Sequence, residues 1–170
     1  LKLREKLKTE PSCPAGIDYV MVYFLNMDLP QVTILPVHRL VRISDFSRFY
    51  RRLGRISRDF YVKNVEEKEE EKSLEEVLSR INQDRDFSFG IYTKKEGFKI
   101  FIPRNSSLFI RQVKSAVFER ILKDLLGEDE LKKEGNIEFT TDAKGGFEKV
   151  KAGLFQIAFF LPPADIEEIK

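Results

Sequence analysis

FSFGIYTKKEGFKIFIP (87–103) decides the fold class. Phe87–Thr93 and Phe98–Pro103 are rich in aromatic and β-branched residues, and Lys94–Gly97 between them has the length and the glycine of a hairpin loop. A hairpin rules out a sheet made only of parallel crossovers. Further along, LFQIAFFL (154–161) is apolar on both alternating sets of positions, as a strand buried on two sides must be. Such a strand needs helices above and below it. The two segments together predict an α+β (or α/β) fold: a mixed sheet of about seven strands with helices packed on its faces.

Outward from the hairpin, the same rules place the other elements. Ile17–Met27 is a second doubly buried strand, and Val32–Val41 is a third, weakened at Pro36. Ser44 or Asp45 caps an amphipathic helix running to about Gly54, with Phe46, Phe49, Tyr50 and Leu53 on its apolar stripe. Phe60–Val65 is a short strand. Residues 66–72, EEKEEEK, read as an exposed acidic loop, after which Ser73 and Glu76 form a capping box for a helix through Leu74, Val77, Leu78 and Ile81. The longest helix, about Arg111–Leu126, buries Val113, Ala116, Val117, Ile121, Leu122 and Leu125, and Gly127 stops it. Ile137–Phe139 is a strand, Asp142 caps a helix over Phe147–Ala152, and Asp165 starts a last helix. Leu1–Lys8 resembles the back half of a helix, and Ile166–Lys170 stops within one. The chain is therefore expected to be a single domain over 1–170 and a fragment of a longer protein.

Composition narrows the function classes. The chain has 170 residues, 42% apolar and 34% charged, with Lys+Arg 30 against Asp+Glu 28. A net charge of +2 argues against a general nucleic-acid binder. The single cysteine, Cys13, forbids an internal disulfide and fits a cytoplasmic protein, while the single histidine, His38, leaves no multi-histidine metal centre. No apolar run approaches the ~20 residues of a membrane helix. The Lys/Glu-rich surface with few Asn, Gln, Met and Cys suits a thermophilic source.

Two places concentrate chemistry. Between Arg39 and Arg58 lie seven of the chain's 13 arginines, offset by Asp45 alone. On the helix, Arg48, Arg51, Arg52 and Arg55 share one face, and four guanidinium groups in a row can grip phosphate with bidentate geometry. The same face could equally be solvated and paired with the Glu-rich loop, or meet a protein partner. In ILPVHRLV (34–41), extended backbone sends His38 to one side of the sheet with Leu40, and Arg39 to the other with Val41. His38 is then a hydrogen-bonded core histidine or a proton-exchanging one. Gly145-Gly146 is a turn or an anion-binding helix start, Asp142 an N-cap, and neither Ser106-Ser107 nor Cys13 has the neighbours of a nucleophile.

IDYVMVYFLNMD and QVTILPVHRLV (17–28 and 31–41) resemble a block of an uncharacterised family known as domain of unknown function 1015, with Asn26, Met27, Asp28, Ile34, Leu35, Pro36, His38 and Arg39 at matching places and Val37 where threonine is usual. FSFGIYT (87–93), FERILKDLLG (118–127) and the stretch from Ile137 to AFFLPPADIEEI continue the resemblance, with Phe118 where histidine is common. Full members carry a G-H-H-R motif before the position of Leu1 and an M-P-x-K-S-T-Y-F-x-P-K motif after that of Lys170, both absent from this chain. The G-H-H-R region is in turn similar to the ParB/sulfiredoxin group, which implies a parent protein that is a nucleotide- or phosphate-using phosphotransferase linked to serine metabolism. The present chain would not be catalytic alone. On that resemblance a nucleotide or phosphorylated small molecule is the expected partner, with Arg39, Arg42 and Asn26 on phosphate and His38 orienting it or exchanging a proton. The alternative is a non-catalytic binding or regulatory module that uses the arginine-rich face of residues 39–58.

Overall fold

Six strands and five helices make up the described residues, 34–66, 70–83, 87–105 and 114–164, of this computed structural model. All of them lie in the compact unit Thr33–Lys170; the other unit, Leu1–Val32, is outside the described residues. In chain order the elements are β1 (His38–Val41), α1 (Phe46–Ile56), a turn of 3₁₀ helix (Ser57–Asp59), β2 (Phe60–Asn64), α2 (Glu70–Gln83), β3 (Phe89–Thr93) and β4 (Gly97–Pro103). They continue with α3 (Lys114–Leu126), α4 (Glu128–Lys132), β5 (Ile137–Thr140), α5 (Ala143–Lys151) and β6 (Ile157–Phe160).

The strands form one sheet in the order β2-β4-β3-β6-β1-β5. The hairpin sits as expected, with Thr93 opposite Gly97 and Phe89 opposite Phe101. β6 enters the middle, between β3 (Ile91 opposite Phe159) and β1 (Arg39 opposite Phe159), which is why IAFF is buried along its whole length. Its alternate side chains feed two cores. Ile157 and Phe159 join Val41, Phe89, Ile91 and Phe101 beneath α1 and α3, which contribute Phe49, Leu53, Phe118, Leu122 and Leu125. Ala158 and Phe160 join Leu40, Tyr92, Phe98 and Ile100 against Val77 and Ile81 of α2 and Phe147 and Val150 of α5. The first core is an aromatic lattice: the Phe89 ring stacks on Phe101 at 4.9 Å and meets Phe60 and Phe118 edge-on at 5.4 and 5.7 Å. Such pairs add about 0.5–1.5 kcal/mol each beyond the area they bury.

On the second face the helix approach depends on one missing side chain. A Cβ on Gly90 would lie 2.4 Å from Val77 Cγ1, inside any permissible contact. The glycine of FSFGIYT lets α2 settle onto the sheet.

The α+β class holds, with several corrections. All the described pairings are antiparallel, so the expected mixed sheet has no parallel component among the described residues. Ile17–Met27 and the terminal helices fall outside those residues. Among the described residues the strand expected over Val32–Val41 covers His38–Val41 and leaves out 34–37, where Pro36 has no N–H to give a ladder. Glu70, Glu71 and Lys72 of the expected acidic loop belong to α2, so Ser73 is not its cap; its hydroxyl donates to the Glu66 carbonyl instead. α1 continues past Gly54 to Ile56. α5 starts at Ala143, four residues early, with the Asp142 side chain accepting from the Gly145 N–H as its N-cap, so Gly145-Gly146 are helical and not a turn. Ala116 is exposed, β6 starts only at Ile157, and α4 was not foreseen.

Candidate functional site

His38 lies on β1 with 1% of its surface exposed. Its ring meets Phe160 edge-on at 5.5 Å, and its Nδ1 accepts the backbone N–H of Leu161 at 3.2 Å. An accepting Nδ1 fixes the neutral tautomer with the proton on Nε2. Burial, reinforced by the positive charge of Arg39 and opposed by Asp142, lowers its pKa to about 4. The ring thus ties the residue after β6 to β1, and near neutral pH it holds no charge.

Arg39 points to the other face, as the alternation requires, and is also occupied. Its Nη2 and Nε donate to Glu119 Oε1 on α3 at 3.0 and 3.3 Å, and its Nη1 donates to the Val37 carbonyl at 2.7 Å. The guanidinium lies 4.3 Å above the Phe139 ring of β5. Arg42 spans two loops: it donates to the carbonyls of Leu154 and Gly135 and stacks 4.3 Å over Phe155. Both arginines are working joints of the fold. Asn26 is outside the described residues, as are Cys13 and Ser106-Ser107.

The arginine face of α1 is arranged differently. Phe49 and Leu53 anchor the helix in the core, which turns Arg48, Arg51 and Arg55 into solvent and leaves Arg52 half-covered at the margin of α3. The four side chains together line an open groove of about 360 Å³. Arg52 Nη1 donates to the Leu125 carbonyl at 3.3 Å, at the negative end of the α3 dipole. Gly127, with φ +88°, makes room for it: a Cβ there would be 3.0 Å from Arg52 Nη1 and 3.7 Å from Arg48 Nη2. Among the described residues no carboxylate pairs with any of the four guanidinium groups; residues 67–69 of the Glu-rich loop, the expected partner in the alternative reading, lie outside them.

At its Arg52–Arg55 end the groove opens into a second cleft of about 480 Å³, lined also by Ile56, Asp59, Lys123, Asp124, Gly127 and Glu128. Sequence reasoning missed these last residues as part of a site. Gly127 was legible as a helix stop, but nothing in the sequence says that α3 ends beside α1. Among the described residues no group of three or more His, Cys, Asp or Glu is placed to hold a metal ion, and no helix is long and apolar enough to cross a membrane. What the arrangement offers chemically is a row of positive donors on one helix face, of which Arg52 is held by the Leu125 carbonyl.

No curated protein and no solved structure matches the chain. A family model does, over residues 1–139, a span that contains β1, the whole arginine helix, the hairpin and α3. The chain belongs to the family described as "Protein of unknown function (DUF1015)".

Proposed function

We propose that the chain is a non-catalytic binding module that holds a phosphate-bearing small molecule on the α1 arginine face. One observation carries this reading: four guanidinium groups line one groove with no carboxylate partner among the described residues. Mutual repulsion among like charges makes such a row costly unless an anion relieves it. Arg52, already braced on Leu125, has little entropy left to lose on binding. His38, Arg39 and Arg42 support the fold in this reading. Any phosphoryl transfer by the parent protein, and its link to serine metabolism, then draws on reacting groups other than these three. The single cysteine favours a cytoplasmic setting for the module, and the Lys/Glu-rich composition a thermophilic one.

The test is titration of the chain with inorganic pyrophosphate by calorimetry, at low and moderate salt, beside an Arg51→Gln/Arg55→Gln double variant. Both side chains are exposed and make no described contact, so the variant keeps its melting temperature. Binding that weakens about tenfold or more in the variant and falls as salt rises supports the reading. Equal binding by the two proteins, or none by either, refutes it.

A further inference from the structure

Resting on that reading, we propose that carboxylates at the two ends of the arginine groove set its length, so that the site takes a compact anion of one or two phosphate groups and turns away a continuous nucleic-acid backbone. From Arg48 to Arg55 is seven residues of helix, about 10 Å at 1.5 Å per residue. Beyond Arg55 the unbroken run of positive charge ends in a cleft of mixed sign, where Arg52, Arg55 and Lys123 share the wall with three carboxylates. The carboxylates are Asp59 on the 3₁₀ turn, Asp124 on α3 and Glu128 on α4, and Glu128 is ion-paired with Lys123 and Lys132. Asp59 and Asp124 form no ion pair among the described residues, although Arg52 and Arg55 line the same cleft and Asp124 interacts electrostatically with the neighbouring Lys123. Carboxylates that share a cavity with cations oppose the positive field there, so the attraction for an anion falls away past Arg55.

The other end is closed the same way. Beyond Arg48 the small pocket beside α1 is lined by Asp45, which caps the helix by accepting the Arg48 N–H at 2.8 Å, and by Glu130 of α4. Glu130 is ion-paired with Lys133 and held by Asn136, so Asp45 is the carboxylate without an ion pair at this end among the described residues. A chain of phosphates following the groove in either direction would run into carboxylates within a turn of leaving the arginines. At physiological ionic strength the screening length is about 8 Å, so charges this close are felt. A mono- or diphosphate group meets only the guanidinium groups.

The experiment measures the affinity of the chain for inorganic pyrophosphate and for a single-stranded thymidine oligonucleotide. The wild type is compared with Asp59→Asn/Asp124→Asn and with Glu75→Gln/Glu148→Gln, which changes the net charge equally on α2 and α5, across the sheet. The expected result is that wild type prefers pyrophosphate. The Asp59→Asn/Asp124→Asn variant should gain about tenfold for the oligonucleotide at about 50 mM salt, and lose most of that gain by about 200 mM. Its pyrophosphate affinity should move by less than about threefold, and the Glu75/Glu148 control should gain little for either ligand. Wild type binding both ligands equally, or the two variants gaining alike, overturns the length-setting role while leaving phosphate binding in place. Failure of wild type to bind pyrophosphate overturns the phosphate reading itself, and the length-setting role with it.

Discussion

Replacing His38 by Asn should flatten the dependence of stability on pH between about pH 7 and pH 5. The sign follows from the site. Folding lowers the histidine pKa from 6.5 to about 4, chiefly by burial, so between those values the unfolded chain binds a proton that the folded chain does not. Stability from this group is complete above pH 6.5 and is lost as pH falls towards 4. The whole gap is worth about 3 kcal/mol, of which about 2 kcal/mol is lost by pH 5. Among the described residues that window is clean, because the carboxylates whose pKa values are lowered there, Glu71 and Glu128, lose their contributions only below 4.5. Asn can still offer an oxygen to the Leu161 N–H but cannot titrate. Its smaller side chain leaves a void beside Phe160 and lowers stability at every pH, so the slope and not the offset decides. Urea unfolding at several pH values gives that slope. Because His38 is the only histidine, its imidazole nitrogen resonances can be assigned without mutagenesis, and they should show protonated Nε2 and bare Nδ1 down to pH 5. A wild-type protein whose stability is flat from pH 7 to 5, or an Asn variant with the same slope as wild type, would refute a buried structural role. A histidine poised for proton exchange would titrate near 6.5.

Three further outcomes follow from the packing. Gly90→Ala should cost about 1–3 kcal/mol in urea unfolding through its clash with Val77 Cγ1, and Val77→Ala in the same chain should return part of that loss, which no backbone effect of the glycine would allow. Arg39→Met should destabilise by about 1–2 kcal/mol, less than a fully buried ion pair because Glu119 is half-exposed, and should leave pyrophosphate affinity unchanged; a selective loss of affinity would return Arg39 to the site. Gly127→Ala forces a side chain into a positive-φ position and onto Arg52, so melting temperature and pyrophosphate affinity should both fall.

The fold was legible where local chemistry is decisive. The hairpin loop, the Gly127 stop, the Asp142 cap and the two-sided burial of IAFF within LFQIAFFL all follow from short stretches read alone, although Leu154 at its start is exposed. Boundaries failed where a neighbouring element decides them. Glu70–Lys72 looked like a solvated loop by charge, yet they extend a helix whose buried stripe begins at Leu74, and Lys144 of α5 pairs with Glu71 across the gap. Ala116 looked like a core residue by spacing, but the stripe through Val117, Ile121 and Leu125 already fills the space under α3. Strand order was not legible at all: the last strand, β6, lies between β1 and β3, a pairing over more than a hundred residues in the first case.

For the candidate site the division is sharper. Alternation in ILPVHRLV correctly sent His38 and Arg39 to opposite faces, but residue type alone could not say whether a buried polar group serves chemistry or the fold. That depends on partners distant in sequence: Leu161 for His38, Glu119 and Phe139 for Arg39, Leu154 and Gly135 for Arg42. Each of these polar groups is already satisfied, which is what burial demands of them. The helical arginines satisfy the opposite condition. Their spacing was visible in the sequence, and their lack of carboxylate partners among the described residues is visible only in three dimensions, where α3 ends beside them and offers a carbonyl to Arg52. A charge that the fold leaves unpaired, next to one that the fold braces, is where binding energy remains to be gained. On this surface that condition is met along α1 and not on β1.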